Sequence, residues 1–233
     1  MPRGARGLSE GSIYHVLNRG NGKQEVFHKD QDFVVFIRIM KEAKKRYPLN
    51  IFAYCLMPNH FHIVLKPNRA NHLSNWIQLL MTSHVRRYHN HYQTNGHIWQ
   101  GRYKNFIIQR DEHLLTVLRY VEANPIRAGL VSSARDWLWS SHNERICDEI
   151  DGIVDNPPID LPSDWARYVD EPLRYTELGK LHQSVNRQSP YGNAEWQREM
   201  IVQLGLQHTI RPRGRPKKEA DADRQKKGDR QLF

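Results

Sequence analysis

Two histidines separated by a single residue are the side chains of this sequence best suited to chemistry. His60 and His62 follow a Met-Pro-Asn turn at 57–59 and open the second of two strands predicted in 50–67. Side chains alternate between the faces of a strand, so both imidazoles share one face. A stiff strand that holds two imidazoles side by side makes part of a metal site. Thirteen histidines in 233 residues also make a chance pair common, so the pattern alone leaves a metal site and a polar strand face open.

A tyrosine and an asparagine four residues apart supply what the histidines lack. A helix is predicted over 111–123, with Asp111 as its N-cap and an apolar stripe at helical spacing. Tyr120 and Asn124 lie one turn apart on its polar side, and Pro125 ends the helix. By themselves they describe an ordinary helix end. Beside the two histidines they would add an oxygen ligand and a phenol nucleophile.

The elements that must position these side chains follow in an order typical of one fold. Strands are predicted at 11–18, in the hairpin 50–67 and at 99–109, and helices at about 30–46 and 73–92. This order predicts an α+β fold, a ferredoxin-like sandwich with an antiparallel sheet and both helices packed on one face. The other face is expected to stay free for a site. His15, in the middle of the first strand, is expected to be structural.

Two cations alternate with uncharged residues in the last predicted strand. Arg102 and Lys104 would share one face of that strand. They are either ordinary surface charges or, next to a metal site, a platform for phosphate groups. The pattern does not decide between the two.

The composition favours a nucleic-acid partner. The formal net charge is +10, and basic proteins commonly neutralise phosphates. An anionic membrane surface is the competing partner, but no long basic amphipathic helix is predicted. The longest apolar run, 51–57, is far too short to span a membrane, and no secretory signal is recognised. With two cysteines that lack metal-type spacing, a cytoplasmic, nucleoid-associated protein is expected.

The chain is expected to divide into four parts. These are a basic arm at 1–10, a catalytic domain at 11–135, a small helical or irregular appendage at 136–207 with a helix at 192–206, and a disordered basic tail at 208–233. The tail contains a segment that resembles an AT-hook, a motif of narrow A·T-rich minor grooves. Its candidate DNA contacts are Arg211, Arg213, Gly214, Arg215, Pro216 and Lys217. A generic polycation that aids solubility is the alternative.

Four stretches together resemble one family. They are MPNHFHIVL at 57–65, GRYKNF at 101–106, RYVEANPIRAGLV at 119–131 and WSS at 139–141. In this order and at these separations, over roughly residues 10–142, they resemble the REP-associated tyrosine transposases. These are relatives of the single-tyrosine HUH transposases and have an IS200-like domain. The name HUH stands for two histidines that flank a hydrophobic residue, as in His60-Phe61-His62.

The resemblance implies a role for each part of the site. It makes His60 and His62 the metal pair, Tyr120 the nucleophile and Asn124 the third ligand, where relatives often carry Gln. It implies Mg or Mn as the metal, and single-stranded or hairpin DNA of palindromic repeats as the substrate. Tyr120 would attack a phosphodiester to leave a 5′-phosphotyrosine and a free 3′-hydroxyl, so that strand joining needs no ATP.

Two other classes of function compete with this one. The first is a DNA-binding regulator that has kept the fold without the chemistry, and the second is a metal hydrolase that activates water. The target sequence and the general base are not readable from the sequence. The oligomeric state is also uncertain, with a monomer favoured over a dimer.

Overall fold

A four-stranded antiparallel sheet forms the centre of the computed structural model, which describes residues 8–147 and 152–211. Its strands are β1 (Ile13–Arg19), β2 (Leu49–Met57), β3 (His60–Pro67) and β4 (Lys104–Ile108), in the spatial order β2-β3-β1-β4. Helices α1 (Asp30–Arg46) and α2 (Ala70–Tyr92) connect β1 to β2 and β3 to β4. This order and connectivity are those of the predicted ferredoxin-like sandwich, so the predicted fold class is confirmed.

The first face of the sheet packs against α1 and α2. Val16 and Ile63 alternate with polar site residues along their strands, and both are fully buried in one core with Phe36 of α1 and Trp76 of α2. Strand alternation and the 3.6-residue helical period thus bring complementary apolar surfaces together. This layer makes the sheet rigid, and a rigid sheet is a suitable support for a site on its other face.

The second face of the sheet is covered by α3 (Glu112–Glu122). Val64 of β3 and Phe106 of β4 share a second core with Val117, Leu118 and Val121 of this helix. The face that the sequence led us to expect as open is therefore a packed layer. The side chains on this face lie between the sheet and α3.

The predicted helix over 111–123 begins as expected and ends earlier. Asp111 is the N-cap, and its side chain accepts a hydrogen bond from the backbone N–H of His113. The helix ends at Glu122, and Asn124 opens the short helix α4 (Asn124–Arg127). Asn124 therefore lies beyond the end of the helix that carries Tyr120. Pro125 lies in the first turn of α4, where its missing N–H costs no hydrogen bond.

Four further helices follow in the described C-terminal part. They are α5 (Ser141–Ile146), α6 (Trp165–Asp170), α7 (Tyr175–Arg187) and α8 (Ala194–Gln203). The backbone N–H of Tyr191, between α7 and α8, donates to the carbonyl oxygen of Ile107 at the edge of β4, and its carbonyl oxygen accepts from the N–H of Gln109 (2.9 Å each). This attachment holds α7 against the sheet. Of the helices in the described parts of the chain, none combines the length and apolar character needed to cross a membrane.

Candidate functional site

The histidine pair lies at the start of β3, on the face that α3 covers. In the antiparallel register with β1, His60 is opposite Arg19 and His62 is opposite Leu17. The two imidazole centroids are 5.1 Å apart, with the rings at nearly a right angle. His62 is almost fully buried and His60 is partly exposed. Strand alternation thus places both rings in one layer, with His60 nearer the solvent.

A hydrogen bond from His60 to its neighbour leaves Nε2 of His60 available as a ligand. Oδ1 of Asn59 lies 2.6 Å from Nδ1 of His60. An amide oxygen only accepts, so Nδ1 of His60 carries the proton and Nε2 keeps its lone pair. The amide nitrogen of Asn59 donates to the carbonyl oxygen of Lys23 at 3.1 Å, which agrees with this orientation. A metal-binding histidine is normally oriented by such a bond.

His15 contacts His62 directly, which the sequence analysis did not expect. Its Nε2 lies 2.8 Å from Nδ1 of His62, and the two rings stack with centroids 4.9 Å apart. The side chain of His15 is fully buried, and its Nδ1 has no hydrogen-bond partner among the residues that the structure describes. The site therefore contains three imidazoles. The third comes from β1, 47 residues before His62.

All three imidazoles are held neutral. Burial, with a smaller contribution from the positive charge of Arg127, lowers the pKa of His15 to about 3. Burial and the cations Arg19 and Arg127 lower the pKa of His60 to about 4. Burial, the neighbouring imidazoles and Arg127 bring the pKa of His62 well below its usual value of 6.5. Near neutral pH, a metal ion would not have to displace protons from these rings.

Tyr120 reaches the histidines from α3. Its ring meets His62 edge-on with centroids 5.7 Å apart, and His15 in the same manner at 6.2 Å. The side chain is 5% exposed. Burial raises the pKa of Tyr120 above 10, and Arg127 partly opposes this rise. The resting side chain is therefore a neutral phenol in contact with the imidazole layer.

The side-chain oxygen of Asn124, a predicted metal ligand, already contacts a cation. Oδ1 of Asn124 accepts a hydrogen bond from Nη2 of Arg127 at 2.7 Å, and Nδ2 of Asn124 donates to the carbonyl oxygen of Val121 at 3.3 Å. An amide oxygen has two lone pairs. One of them therefore remains for a metal ion.

Two residues that the sequence analysis did not single out complete the site. The guanidinium of Arg127 lies over the ring of Tyr120, 4.0 Å from its centroid. His182 of α7 meets the same ring edge-on at 6.0 Å. Burial and Arg127 lower the pKa of His182 below 6.5, so it is a neutral imidazole able to accept a proton. Arg127 lay within a quoted motif, whereas His182 is a single histidine in a helix that was not predicted.

The predicted DNA contacts lie in three different places. Lys104 is exposed and pairs with Leu17 in the register of β1 and β4, so it lies on the face of the site. Arg102 precedes β4 and lines a cavity beside α2 instead, so the prediction that it shares a strand face with Lys104 is wrong. The predicted strand 99–109 is shortened at its start because a turn at 100–102 interrupts it.

Arg211 is exposed near the end of the second described range, and its carbonyl oxygen accepts a hydrogen bond from Arg187. Arg213, Gly214, Arg215, Pro216 and Lys217 lie outside the described residues.

A second group of possible metal ligands lies at the start of α3. Asp111, Glu112 and His113 each place one ligand atom within 4.8 Å of the others. Oδ1 of Asp111 already accepts from the backbone N–H of His113 at 2.9 Å and lies 2.8 Å from Nδ1 of the same residue. At a rise of 1.5 Å per residue, this group is roughly 10 Å along the helix from Tyr120. We assign it to helix capping.

Parts of the chain are similar to known proteins. A curated relative from Haemophilus influenzae, provisionally named REP-associated tyrosine transposase, is 27% identical over 137 residues, which cover 54% of this chain and 72% of that protein. The solved structure of a REP-associated tyrosine transposase bound to a REP hairpin is similar with a TM-score of 0.52 and 17% identity, over 75% of this chain and 99% of that chain. That likeness supports the fold.

A second solved structure and a family model extend the comparison. A provisionally named transposase from Deinococcus radiodurans aligns with a TM-score of 0.36 at 19% identity, over 52% of this chain and 95% of that chain, which does not establish a common fold. The family model described as Transposase IS200 like matches residues 9–124. That range contains the whole four-stranded sheet, both histidines of β3 and Tyr120, and it ends at Asn124. Over residues 9–124, the chain is therefore similar to the family of IS200-like transposases.

Proposed function

We propose that this protein is a metal-dependent endonuclease and strand transferase for single-stranded DNA that works through a covalent 5′-phosphotyrosine. The observation that carries the proposal is the convergence of Tyr120, from α3, on the histidines of β3. The ring of Tyr120 is 5.7 Å from that of His62, which is 5.1 Å from that of His60. A phenol nucleophile beside two neutral imidazole ligands suits metal-assisted phosphoryl transfer.

The side chains at the site fit a divalent metal ion, for which we propose His60, His62 and Asn124 as ligands. Nδ1 of His60 and Nδ1 of His62 are both engaged by neighbours, which leaves Nε2 of each ring for the ion. Oδ1 of Asn124 keeps one lone pair. Imidazole and amide donors do not by themselves select one metal, and the family resemblance favours Mg or Mn. When bound, the ion would polarise the phosphate as a Lewis acid.

The proposed reaction is a transesterification in which Tyr120 is the nucleophile. The phenolic oxygen of Tyr120 attacks the phosphorus, and the bond from phosphorus to the 3′ oxygen breaks with its electron pair on that oxygen. The phenol loses its proton and the 3′ oxygen gains one, so no oxidant or nucleotide cofactor is needed. The products are the 5′-phosphotyrosine and a free 3′-hydroxyl. Attack by a 3′-hydroxyl on the phosphotyrosine reverses the step and joins strands.

For the substrate we propose DNA that forms hairpins at palindromic repeats. The solved relative is described as bound to a REP hairpin, and the net charge of +10 suits a polyanion. Arg19, opposite His60, and Lys104, at the start of β4, are exposed cations on the strands beside the pair. The AT-hook-like tail stays a further predicted DNA contact. A genomic DNA substrate also predicts a nucleoid-associated protein in the cytoplasm.

Substitution of Tyr120 by Phe tests the proposal. We expect wild-type protein with Mg²⁺ or Mn²⁺ to cleave labelled hairpin oligonucleotides and to form a protein–DNA adduct that survives a denaturing gel. Tyr120→Phe should abolish both products, because only the phenolic oxygen can form the covalent bond. Tyr168→Phe is the matched control, since Tyr168 also lies under an arginine, Arg119, at 4.2 Å. It should cleave like the wild type.

Other outcomes would favour the two competing functions. Hairpin binding by the wild type without cleavage in either metal would favour a DNA-binding regulator. Cleavage that persists in Tyr120→Phe without an adduct would favour a hydrolase that activates water.

A further inference from the structure

Arg127 is held at the centre of the site by three contacts. Its guanidinium lies 4.0 Å from the ring centroid of Tyr120. Nη1 donates to the backbone carbonyl oxygen of Tyr120 at 2.8 Å, and Nη2 donates to Oδ1 of Asn124 at 2.7 Å. A guanidinium has five N–H donors in a fixed plane. These contacts therefore orient the group while leaving several donors for another partner.

The charge of Arg127 acts on the whole site. It lowers the pKa of the four neighbouring imidazoles and opposes the rise in the pKa of Tyr120. All of these groups are uncharged at neutral pH. Arg127 is therefore a fixed positive charge in contact with the ring of Tyr120, as Arg19 is opposite His60.

Arg127 also lacks a counter-charge. Among the residues that the structure describes, no carboxylate lies within ion-pair distance of its guanidinium, and the groups that favour its charged form are Tyr120 and Cys55. Arg119 provides the contrast. It stacks on Tyr168 in the same manner, 4.2 Å from the ring centroid, but a carboxylate oxygen of Glu171 lies 3.9 Å from it. Arg127 is exposed to solvent, and an accessible, pre-oriented cation without a carboxylate partner among the described residues is suited to an anionic ligand.

We propose that Arg127 binds the scissile phosphate and neutralises its non-bridging oxygens as Tyr120 attacks. This inference rests on the proposed function. A phosphate above Tyr120 lies within reach of the free N–H donors, since the guanidinium already covers the ring of the nucleophile. Planar arginine donors match phosphate oxygens in pairs. Arg127 then both positions the phenol and stabilises the charge that builds on phosphate in the transition state.

A neutral substrate distinguishes this role from a purely positional one. The scissile phosphate is first mapped with wild-type full-length protein, and a methylphosphonate is then placed at that position of the hairpin. Cleavage rates of wild type and Arg127→Ala are compared on both oligonucleotides. On the natural phosphodiester we expect the variant to be about 100-fold slower, the typical effect of removing one charge-stabilising donor. The methylphosphonate has no negative charge, so on this substrate the cleavage rates of wild type and variant should differ by no more than about fivefold.

Two further measurements keep the test decisive. If the methylphosphonate reacts too slowly, hairpin affinity is measured in the Tyr120→Phe background with and without Arg127→Ala. Removal of Arg127 should then weaken binding of the phosphodiester and leave binding of the methylphosphonate unchanged. Arg127→Lys, which keeps the charge without the planar fork, should retain part of the rate. Arg119→Ala is the matched control. It should lower thermal stability without changing the ratio of the cleavage rates on the two substrates.

An equal effect of Arg127→Ala on the charged and neutral phosphates, in rate and in affinity, would overturn the inference. In that case Arg127 only positions Tyr120. Failure of the wild type to cleave would instead overturn the proposed function, so the two failures are distinguishable.

Discussion

At the scale of single residues, the site depends on which nitrogen of each histidine carries the proton. The tautomer of His60 is fixed by Oδ1 of Asn59, which accepts a hydrogen bond from Nδ1 of His60 at 2.6 Å. His62 depends on His15, because two imidazole nitrogens 2.8 Å apart share one proton in their hydrogen bond. If Nε2 of His62 binds a metal, its Nδ1 must donate to Nε2 of His15. The proton of His15 then lies on Nδ1, the buried nitrogen that lacks a partner. His15 is therefore expected to act on the metal through His62.

Substitution of His15 by Phe should weaken metal binding. Phenylalanine keeps the ring but gives Nδ1 of His62 no acceptor, and loss of such a supporting contact lowers metal affinity by about 10–100-fold. The affinity for Mn²⁺ can be measured by titration calorimetry on the protein without DNA. His84→Phe is the control, since His84 is a buried histidine that packs on Phe36 on the other side of the sheet. Unchanged affinity in His15→Phe would exclude the orienting role.

At the scale of elements, a buried carboxylate joins the predicted appendage to α3, the helix that carries Tyr120. Glu122, the last residue of α3, is fully buried and accepts four hydrogen bonds. The donors are Ser141 at 2.6 Å, His142 at 3.0 Å, Arg145 at 3.2 Å and Trp165 at 2.7 Å. These residues lie on α5 and α6, beyond the boundary predicted at residue 135. The division into a domain and an appendage stays a prediction, but these contacts join the two parts.

Replacement of Glu122 by Gln should destabilise the protein. The amide removes the negative charge and turns one acceptor into a donor, so Arg145 loses its counter-charge inside the protein. Breaking a buried ion pair in this way lowers the free energy of unfolding by about 3 kcal/mol. Urea denaturation measures the change. The control is Glu112→Gln in the exposed first turn of the same helix, for which we expect a change below about 0.5 kcal/mol. Equal midpoints for both variants would show that the cluster contributes little.

At the scale of the whole molecule, buried neutral imidazoles make the stability depend on pH. Burial lowers the pKa of His15 to about 3 and of His60 and His84 to about 4, and it lowers the pKa of His62 well below 6.5. The unfolded chain takes up protons on these rings near pH 6.5, whereas the native protein takes them up only at lower pH, near 4 for His60 and His84 and near 3 for His15. Acid therefore favours the unfolded state. The stabilisation from keeping these rings neutral is complete above pH 6.5 and is lost as the pH falls toward 3.

The free energy of unfolding should consequently decrease when the pH is lowered from 7.5 to 4.5. Each such imidazole contributes about 1.4 kcal/mol per pH unit below its unfolded pKa. Urea denaturation at four pH values measures the slope. His84→Phe should have a shallower slope than the wild type, because it removes one of the groups at a place remote from the candidate site. A flat profile would contradict the neutral state of these rings.

Features that depend on local pattern could be predicted from the order of the amino acids alone. Alternation of side chains predicted that His60 and His62 share a face, turn residues predicted the hairpin, and the order of periodic segments predicted the sheet and its two helices. The N-cap at Asp111 was also predicted correctly. All of these follow from residues within a few positions of one another, where backbone geometry alone relates side chains.

Contacts between side chains that are distant in the sequence could not be predicted in this way. His15 meets His62 because the register of β1 and β3 makes them diagonal neighbours on one face, with His15 opposite Val64 and His62 opposite Leu17. No local pattern encodes a strand register. His182 reaches Tyr120 because α7 is attached to the edge of β4. Arg127 lies over Tyr120 because the chain turns from α3 into α4 at Ala123. Each of these contacts depends on how elements pack, and packing is set by the summed burial of many residues rather than by the few that do the chemistry.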